Sequence, residues 1–145
     1  MIKIRRATEQ DKPKVIELLK DPFLDLYYDK LEYKDFWVAV KNNNIIGCVQ
    51  LEDFGDFLFL GSLGIRPGSQ HQGIAKRLMT EVLMQAKKEV YLYTIIPEFF
   101  TQFGFAVTDT HTHNLPSRDR YECEYCELDK CVIMLHSLQV IAQGR

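Results

Sequence analysis

Apolar and polar residues change their period several times along this chain, and each change marks an element. Ile2-Lys3-Ile4-Arg5-Arg6 alternates and predicts a strand. Thr8 or Asp11 can cap the helix that follows, Pro13 suits its first turn, and Val15, Ile16, Leu18 and Leu19 form its apolar stripe. Asp21-Pro22 ends that helix. Leu24, Leu26, Tyr27, Tyr28 and Leu31 suggest a short helix or lid rich in aromatics. Phe36 to Val40 reads as a strand, Lys41-Asn42-Asn43-Asn44 as a turn in which Asn takes positive φ, and Ile45 to Asp53 as the returning strand of a hairpin. After a turn at Asp53-Phe54-Gly55-Asp56, Phe57 to Ile65 is largely apolar, the pattern of a strand covered on both faces. Leu78, Met79, Val82, Leu83 and Ala86 give helical spacing to Ala75 through Lys88. Val90 to Ile96 is a β-branched and aromatic strand. Pro97 starts a short helix through Gln102, and Gly104 ends it. Phe105 to Asp109 is a strand, a polar loop with Asn114, Pro116 and Ser117 follows, and Cys131 to Leu138 is the last strand. The succession predicts one mixed α/β domain over residues 1–145, with a central twisted sheet that is antiparallel early and partly parallel later, flanked by helices.

The turn between the apolar run ending at Ile65 and the helix from Ala75 carries the densest chemical signal. Pro67-Gly68-Ser69 opens it, and Gln70-His71-Gln72-Gly73-Ile74-Ala75 closes it. A small-residue turn after a strand lets backbone N–H groups converge at a helix start, where they have no intrahelical partners and the helix dipole adds positive charge. Such a site suits a pyrophosphate. Gly73 and Ala75 fit because a larger side chain would hold a phosphate away from the backbone. Taken alone, the six residues also match an ordinary strand–helix connection.

Composition narrows the setting. At 145 residues the length fits one domain, and a hydrophobic content of 46% is enough for one core. A net charge of −2 with no Lys/Arg block argues against a nucleic-acid surface. No apolar run approaches ~18 residues, so no membrane span is predicted. Met1-Ile2-Lys3-Ile4 is a strand pattern and not a signal peptide, so the expected location is the cytoplasm. Four cysteines are few for a disulfide scaffold and fit thiols or metal ligands in that compartment.

The order of strand, Arg66-Pro67, Gln-x-x-Gly-x-Ala, amphipathic helix, strand and then Phe103-Gly104-Phe105 resembles the GNAT family of acyl-CoA N-acetyltransferases. Ile4 to Asp11 resembles that family's first strand and helix entry, and Glu98 to Phe105 its late helix and following strand, so the resemblance covers about residues 2 to 138. It implies the acyl-CoA N-acyltransferase fold, with acetyl-CoA as cosubstrate and a small-molecule primary amine as acceptor. It further implies that Gln70, His71, Gln72, Gly73, Ile74 and Ala75 give backbone N–H groups to the CoA pyrophosphate, with Lys76 adding charge. The pantetheine is expected beside Leu63, Gly64 and Ile65, with Gly61 and Gly64 permitting its close approach. Acetyl transfer to an amine needs a base for the ammonium, a donor for the oxyanion and a proton for the departing thiolate. Many family members place a Tyr where this chain has Phe100, which cannot protonate a thiolate; Phe100 is expected to pack on the pantetheine, beside the alternative that it is core.

A narrower resemblance, carried by Leu92-Tyr93-Thr94, Glu98-Phe99-Phe100, Gly104-Phe105 and Leu115-Pro116, points to the acetyltransferase domain of N-acetylglutamate synthases and makes glutamate one candidate acceptor. Phe59 and Ile96 stand where that group carries a catalytic carboxylate and a hydroxyl. The candidate bases are Glu52, Asp53, Asp56 and Glu98, with Glu52 first because its region faces the acceptor in the family; each also reads as an ordinary surface carboxylate. Tyr27 and Tyr28 lie where the family covers its acceptor. Protein N-acetylation and non-catalytic CoA binding stand as alternatives. Cys123, Cys126 and Cys131 offer three thiols in one loop, a ligand short of a tetrahedral zinc site, so free thiols are preferred over zinc; Cys48 reads as core. The last strand could pair edge to edge with a second copy, as a homodimer.

Overall fold

The computed structural model describes residues 1–19, 31–109, 114–116 and 131–137. Tyr27, Tyr28, Cys123 and Cys126 lie outside the described residues. The elements are β1 (Ile2–Arg6), α1 (Lys12–Leu19), β2 (Phe36–Lys41), β3 (Asn44–Asp53), β4 (Leu58–Ile65), α2 (Ile74–Gln85), β5 (Val90–Thr94), α3 (Pro97–Thr101), β6 (Ala106–Thr108) and β7 (Val132–His136). They form a seven-stranded sheet in the order β1-β2-β3-β4-β5-β7-β6. Only β4 and β5 are parallel; every other neighbouring pair is antiparallel. The expectation of an early antiparallel and later partly parallel sheet is met, because α2 is the crossover that a parallel pair requires.

Alternation along the strands sends side chains to two faces. Val49, Leu58, Leu60, Val90 and Leu92 meet Leu78, Met79, Val82 and Leu83 of α2. Phe36, Val38 and Cys48 meet Val15 of α1 and Leu31 on the other face. A third cluster on that second face joins Phe57, Phe59 and Tyr91 with Tyr93, Leu115, Ile133 and Leu135. Burying a Leu, Met or Val of the α2 stripe stabilises by about 2 kcal/mol each, against about 1 kcal/mol for a cap. The stripe therefore fixes where α2 lies.

Several boundaries differ from the sequence expectation for local reasons. A short 3-10 turn, Glu9–Asp11, precedes α1. Both the N–H and the hydroxyl of Thr8 donate to Asp11 Oδ2, at 2.7 and 3.0 Å, so Thr8 and Asp11 act as a pair and not as alternative caps. Helix α2 ends at Gln85 instead of Lys88, because Ala86 has extended backbone and its N–H closes the last turn on Val82 and Leu83 carbonyls. Strand β5 stops at Thr94, whose hydroxyl accepts the Ile96 N–H at 2.9 Å and turns the chain out. Ile95 and Ile96 are consequently exposed. The expectation that the last strand offers a free edge is corrected: β7 lies between β5 and β6 and is paired on both sides. No helix among the described residues is long and apolar enough to cross a membrane.

Candidate functional site

Strands β4 and β5 are in register only at Leu58 with Val90 and Phe59 with Tyr91. Beyond that point β4 stays with β3, through Leu63 with Val49, Gly64 with Cys48 and Ile65 with Gly47. β5 stays with β7 through Thr94. Two parallel strands thus start paired and then part, leaving a slot in the sheet with Leu63, Gly64 and Ile65 along one wall. An unpaired strand edge presents N–H and C=O groups to any extended ligand laid beside it.

The wide end of this slot leads to the turn singled out in the sequence. Arg66 N–H is fixed to the Ile46 carbonyl at 2.8 Å, and Pro67–Ser69 forms a 3-10 turn closed by Ser69 N–H on the Arg66 carbonyl. His71 (φ 64°) and Gly73 (φ 76°) are both left-handed, and α2 begins at Ile74. Arg77 N–H donates to the Gly73 carbonyl at 3.1 Å, the first bond of the helix, so the N–H groups of Ile74, Ala75 and Lys76 have no intrahelical partner. A Cβ added at Gly73 would meet no atom within 4 Å. Internal packing therefore does not demand glycine there; the positive φ does, and the open space above it leaves the backbone approachable. Ile74 is 1% exposed and sends its side chain into the core, so only its backbone faces the turn. Gln70, His71, Gln72 and Lys76 are exposed around it.

Other expected residues have different surroundings. An added Cβ at Gly64 would come within 2.9 Å of Leu19 Cδ2 and 3.3 Å of the Leu18 carbonyl, so this glycine admits α1. One at Gly61 would come within 2.5 Å of Gln50 Oε1. Both glycines thus serve contacts within the protein. Phe100 is 8% exposed and belongs to the main core, packed edge-on against Phe99 and near Phe105. The apolar side chains presented at the exit of β5 are instead Ile95 and Ile96, each 53% exposed, which the strand pattern had assigned to β5 itself.

The carboxylates separate by position. Asp53 accepts from Lys88 Nζ on both oxygens at 2.9 Å and from Gly55 N–H at 2.8 Å. These bonds, Lys88 foremost, hold its carboxyl below the usual range, and it ties the β3–β4 turn to the start of β5. Asp56 is exposed in that turn. Glu52 is half-buried and opposite Phe59, level with the narrow end of the slot. Glu98 is exposed in the first turn of α3, beyond the C-terminal end of β5. The two expected catalytic carboxylates therefore lie at different levels of the slot, and only Glu52 is at its closed end. Phe59 is 2% exposed there, its ring 4.9 Å from that of Tyr93, whose hydroxyl donates to the Pro116 carbonyl. Arg5 donates to the Asp11 carboxylate, with contacts of 2.6 and 3.2 Å. Cys48 is fully buried, which pushes its thiol up to about 12. Cys131 is half-buried, and no group of three or more potential metal ligands occurs among the described residues.

Known proteins share this architecture. N-acetylglutamate synthase from Neisseria gonorrhoeae, solved with coenzyme A and N-acetyl-glutamate, superposes with a TM-score of 0.72 at 20% identity, over 95% of this chain and 35% of that one. This chain thus spans about a third of the synthase's length. The PaiA N-acetyltransferase from Thermoplasma acidophilum, in complex with coenzyme A, gives a TM-score of 0.68 at 19% identity over 94% of this chain and 99% of that one. A GNAT family acetyltransferase from Elizabethkingia anophelis with acetyl-CoA bound gives 0.65 at 19% identity, over 94% and 98%. Residues 3–125 match the sequence model of the Acetyltransferase (GNAT) family. With most of its length inside that match, and with a parted β4–β5 pair leading to a left-handed glycine at a helix start, the chain belongs to the GNAT acetyltransferase family.

Proposed function

We propose that this protein transfers the acetyl group of acetyl-CoA to a primary amine of a small molecule, by direct attack within a ternary complex. The carrying observation is the end of β4–β5 pairing at Phe59 and Tyr91, while the β4 wall runs on to the helix start at Gly73. This is a slot for an extended chain with an anion site at its mouth. The neighbours solved with coenzyme A or acetyl-CoA support the same reading. In it, the N–H groups from Gln70 to Ala75 hold the pyrophosphate and Lys76 adds charge. Leu63, Gly64 and Ile65 pair with the pantetheine. The bound cosubstrate supplies a thioester carbonyl open to attack by an amine. A backbone N–H of β4 near Leu63 to Ile65 polarises that carbonyl. Glu52, level with the narrow end, takes the ammonium proton directly or through water. Phe100 can give no proton, so the thiolate leaves as the anion or takes its proton from water. An amino acid such as glutamate is the first acceptor to try, because the neighbour of highest TM-score named above holds N-acetyl-glutamate.

A second reading, CoA binding without turnover, draws on the burial of Phe100 in the core. Release of free thiol from acetyl-CoA, measured against amino acids, polyamines and peptides, decides between them. Turnover with a small amine is expected. Release with peptides alone would move the acceptor to proteins, and tight binding with no release for any acceptor would overturn the enzyme reading.

A further inference from the structure

Four polar side chains are buried among the described residues: Asp11, Gln50, Thr94 and His136. Asp11 caps the entry to α1, and Thr94 closes the end of β5. Gln50 occupies a more consequential place. The β3–β4 register runs Val49 with Leu63 and then Leu51 with Leu60, so Gln50 alone stands opposite both Gly61 and Ser62. This is a bulge in β4, and it begins two residues after Phe59, the last β4 residue paired with β5. The bulge also changes the side-chain parity of the strand. Leu58 and Leu60 face the α2 core before it, and Leu63 and Ile65 face the same core after it. A regular strand would have turned Leu63 and Ile65 to the opposite face.

We infer that Gln50 is a positioning residue for acetyl transfer, its carboxamide locking the Gly61-Ser62 bulge so that the β4 groups lining the slot keep their aim. Gln50 is 4% exposed, and its side chain is seated directly over the α-carbon of Gly61. A Cβ there would lie 2.5 Å from Oε1 and 3.3 Å from Cδ. Gly61 is therefore the residue that lets the carboxamide sit against the strand. A bulge leaves its extra residue outside the ladder and bends the chain, which re-aims nearby backbone groups. At the throat of the slot, the groups re-aimed are those just ahead of Leu63. A misplacement of about 1 Å at a reacting centre can cost as much as ~100-fold in rate, so a lock on this bend has leverage that its distance from the chemistry hides.

The catalytic half of this inference rests on the acetyl-transfer reading; the lock itself does not. The test combines Gln50→Ala, Gly61→Ala and their double variant with Gln50→Met, which keeps the side-chain volume. Two quantities are read: acetyl-CoA turnover, and hydrogen exchange at the amides of Gly61, Ser62 and Leu63. Each single variant is expected to lower kcat by about tenfold or more, with KM for acetyl-CoA changed little. The double variant should be no worse than the worse single, because both substitutions remove one element. Gln50→Met should resemble Gln50→Ala, and exchange at the three amides should quicken in all four. Losses that multiply, full activity in Gln50→Met, or unchanged exchange would overturn the inference. If the parent protein releases no thiol, the acetyl-transfer reading falls, and with it the catalytic half. Quicker exchange would then still support the lock, and unchanged exchange would overturn it.

Discussion

Asp11 does more for this fold than its place in a short surface turn suggests. It accepts from Thr8 N–H, from the Thr8 hydroxyl and from the Arg5 guanidinium, which joins β1 to the entry of α1. These bonds, that from Arg5 foremost, hold its carboxyl at about 2, below its ordinary 3.8. A carboxyl lowered in the folded state stabilises fully above its unfolded pKa and loses that contribution as pH falls through the folded one. Asp11→Ala should therefore lower stability by about 2 kcal/mol at pH 7. Urea unfolding of parent and variant should give curves that differ at pH 7, draw together between pH 4 and 2, and differ least below that. A constant difference down to pH 2 would show that the carboxylate charge is not the cause. At this scale the sequence was partly legible. Thr8 and Asp11 are recognisable cap residues, and Cys48 as core follows from its apolar strand. That Arg5 is the ion partner of Asp11 is not legible, because Arg5 and Arg6 differ only in which face of β1 each takes.

The element that matters most is the turn into α2. Its composition announced it, yet the reason for its glycine needed coordinates: φ 76° and empty space above the backbone. Those two causes can be separated by substitution. Asn tolerates the left-handed region better than Ala does. Gly73→Ala is expected to cost about 1 kcal/mol of stability through strain and about tenfold in acetyl-CoA affinity through the added carbon. Gly73→Asn should keep most of the stability and still lose affinity. Titration calorimetry beside thermal unfolding reads both quantities, and unchanged affinity in both variants would remove the anion site from this turn. The parting of β4 from β5 was not legible from composition and period. Both runs are apolar and β-forming, and their parting follows the bulge in the β3–β4 hairpin, a register shift that strand period alone does not reveal. Nor was the place of β7, since an apolar strand at the chain's end suits an interior position and an edge equally well.

Across the whole molecule, the sheet sorts its two faces to different tasks. One face carries α2 and the main core, and the other carries α1 with the aromatic cluster at the narrow end of the slot. The fold class was readable because strand and helix periods alternate cleanly from Ile2 to Gln85. The candidate CoA site could be proposed from the sequence because it is contiguous, from Leu63 to Lys76. The proposed acceptor side draws on segments far apart in the chain, and Tyr27 and Tyr28 fall outside the described residues, which leaves Glu52 as its proposed residue among those described. The central claim is that acetyl-CoA lies along the β4 wall with its pyrophosphate at the start of α2. Amide chemical-shift mapping of the full chain by ¹⁵N–¹H NMR, on titration with acetyl-CoA, tests it most directly. The account predicts the largest perturbations at Gly73, Ile74 and Ala75 and along Leu63 to Ile65, saturating together. Perturbations confined to other surfaces, or none at saturating acetyl-CoA, would contradict it.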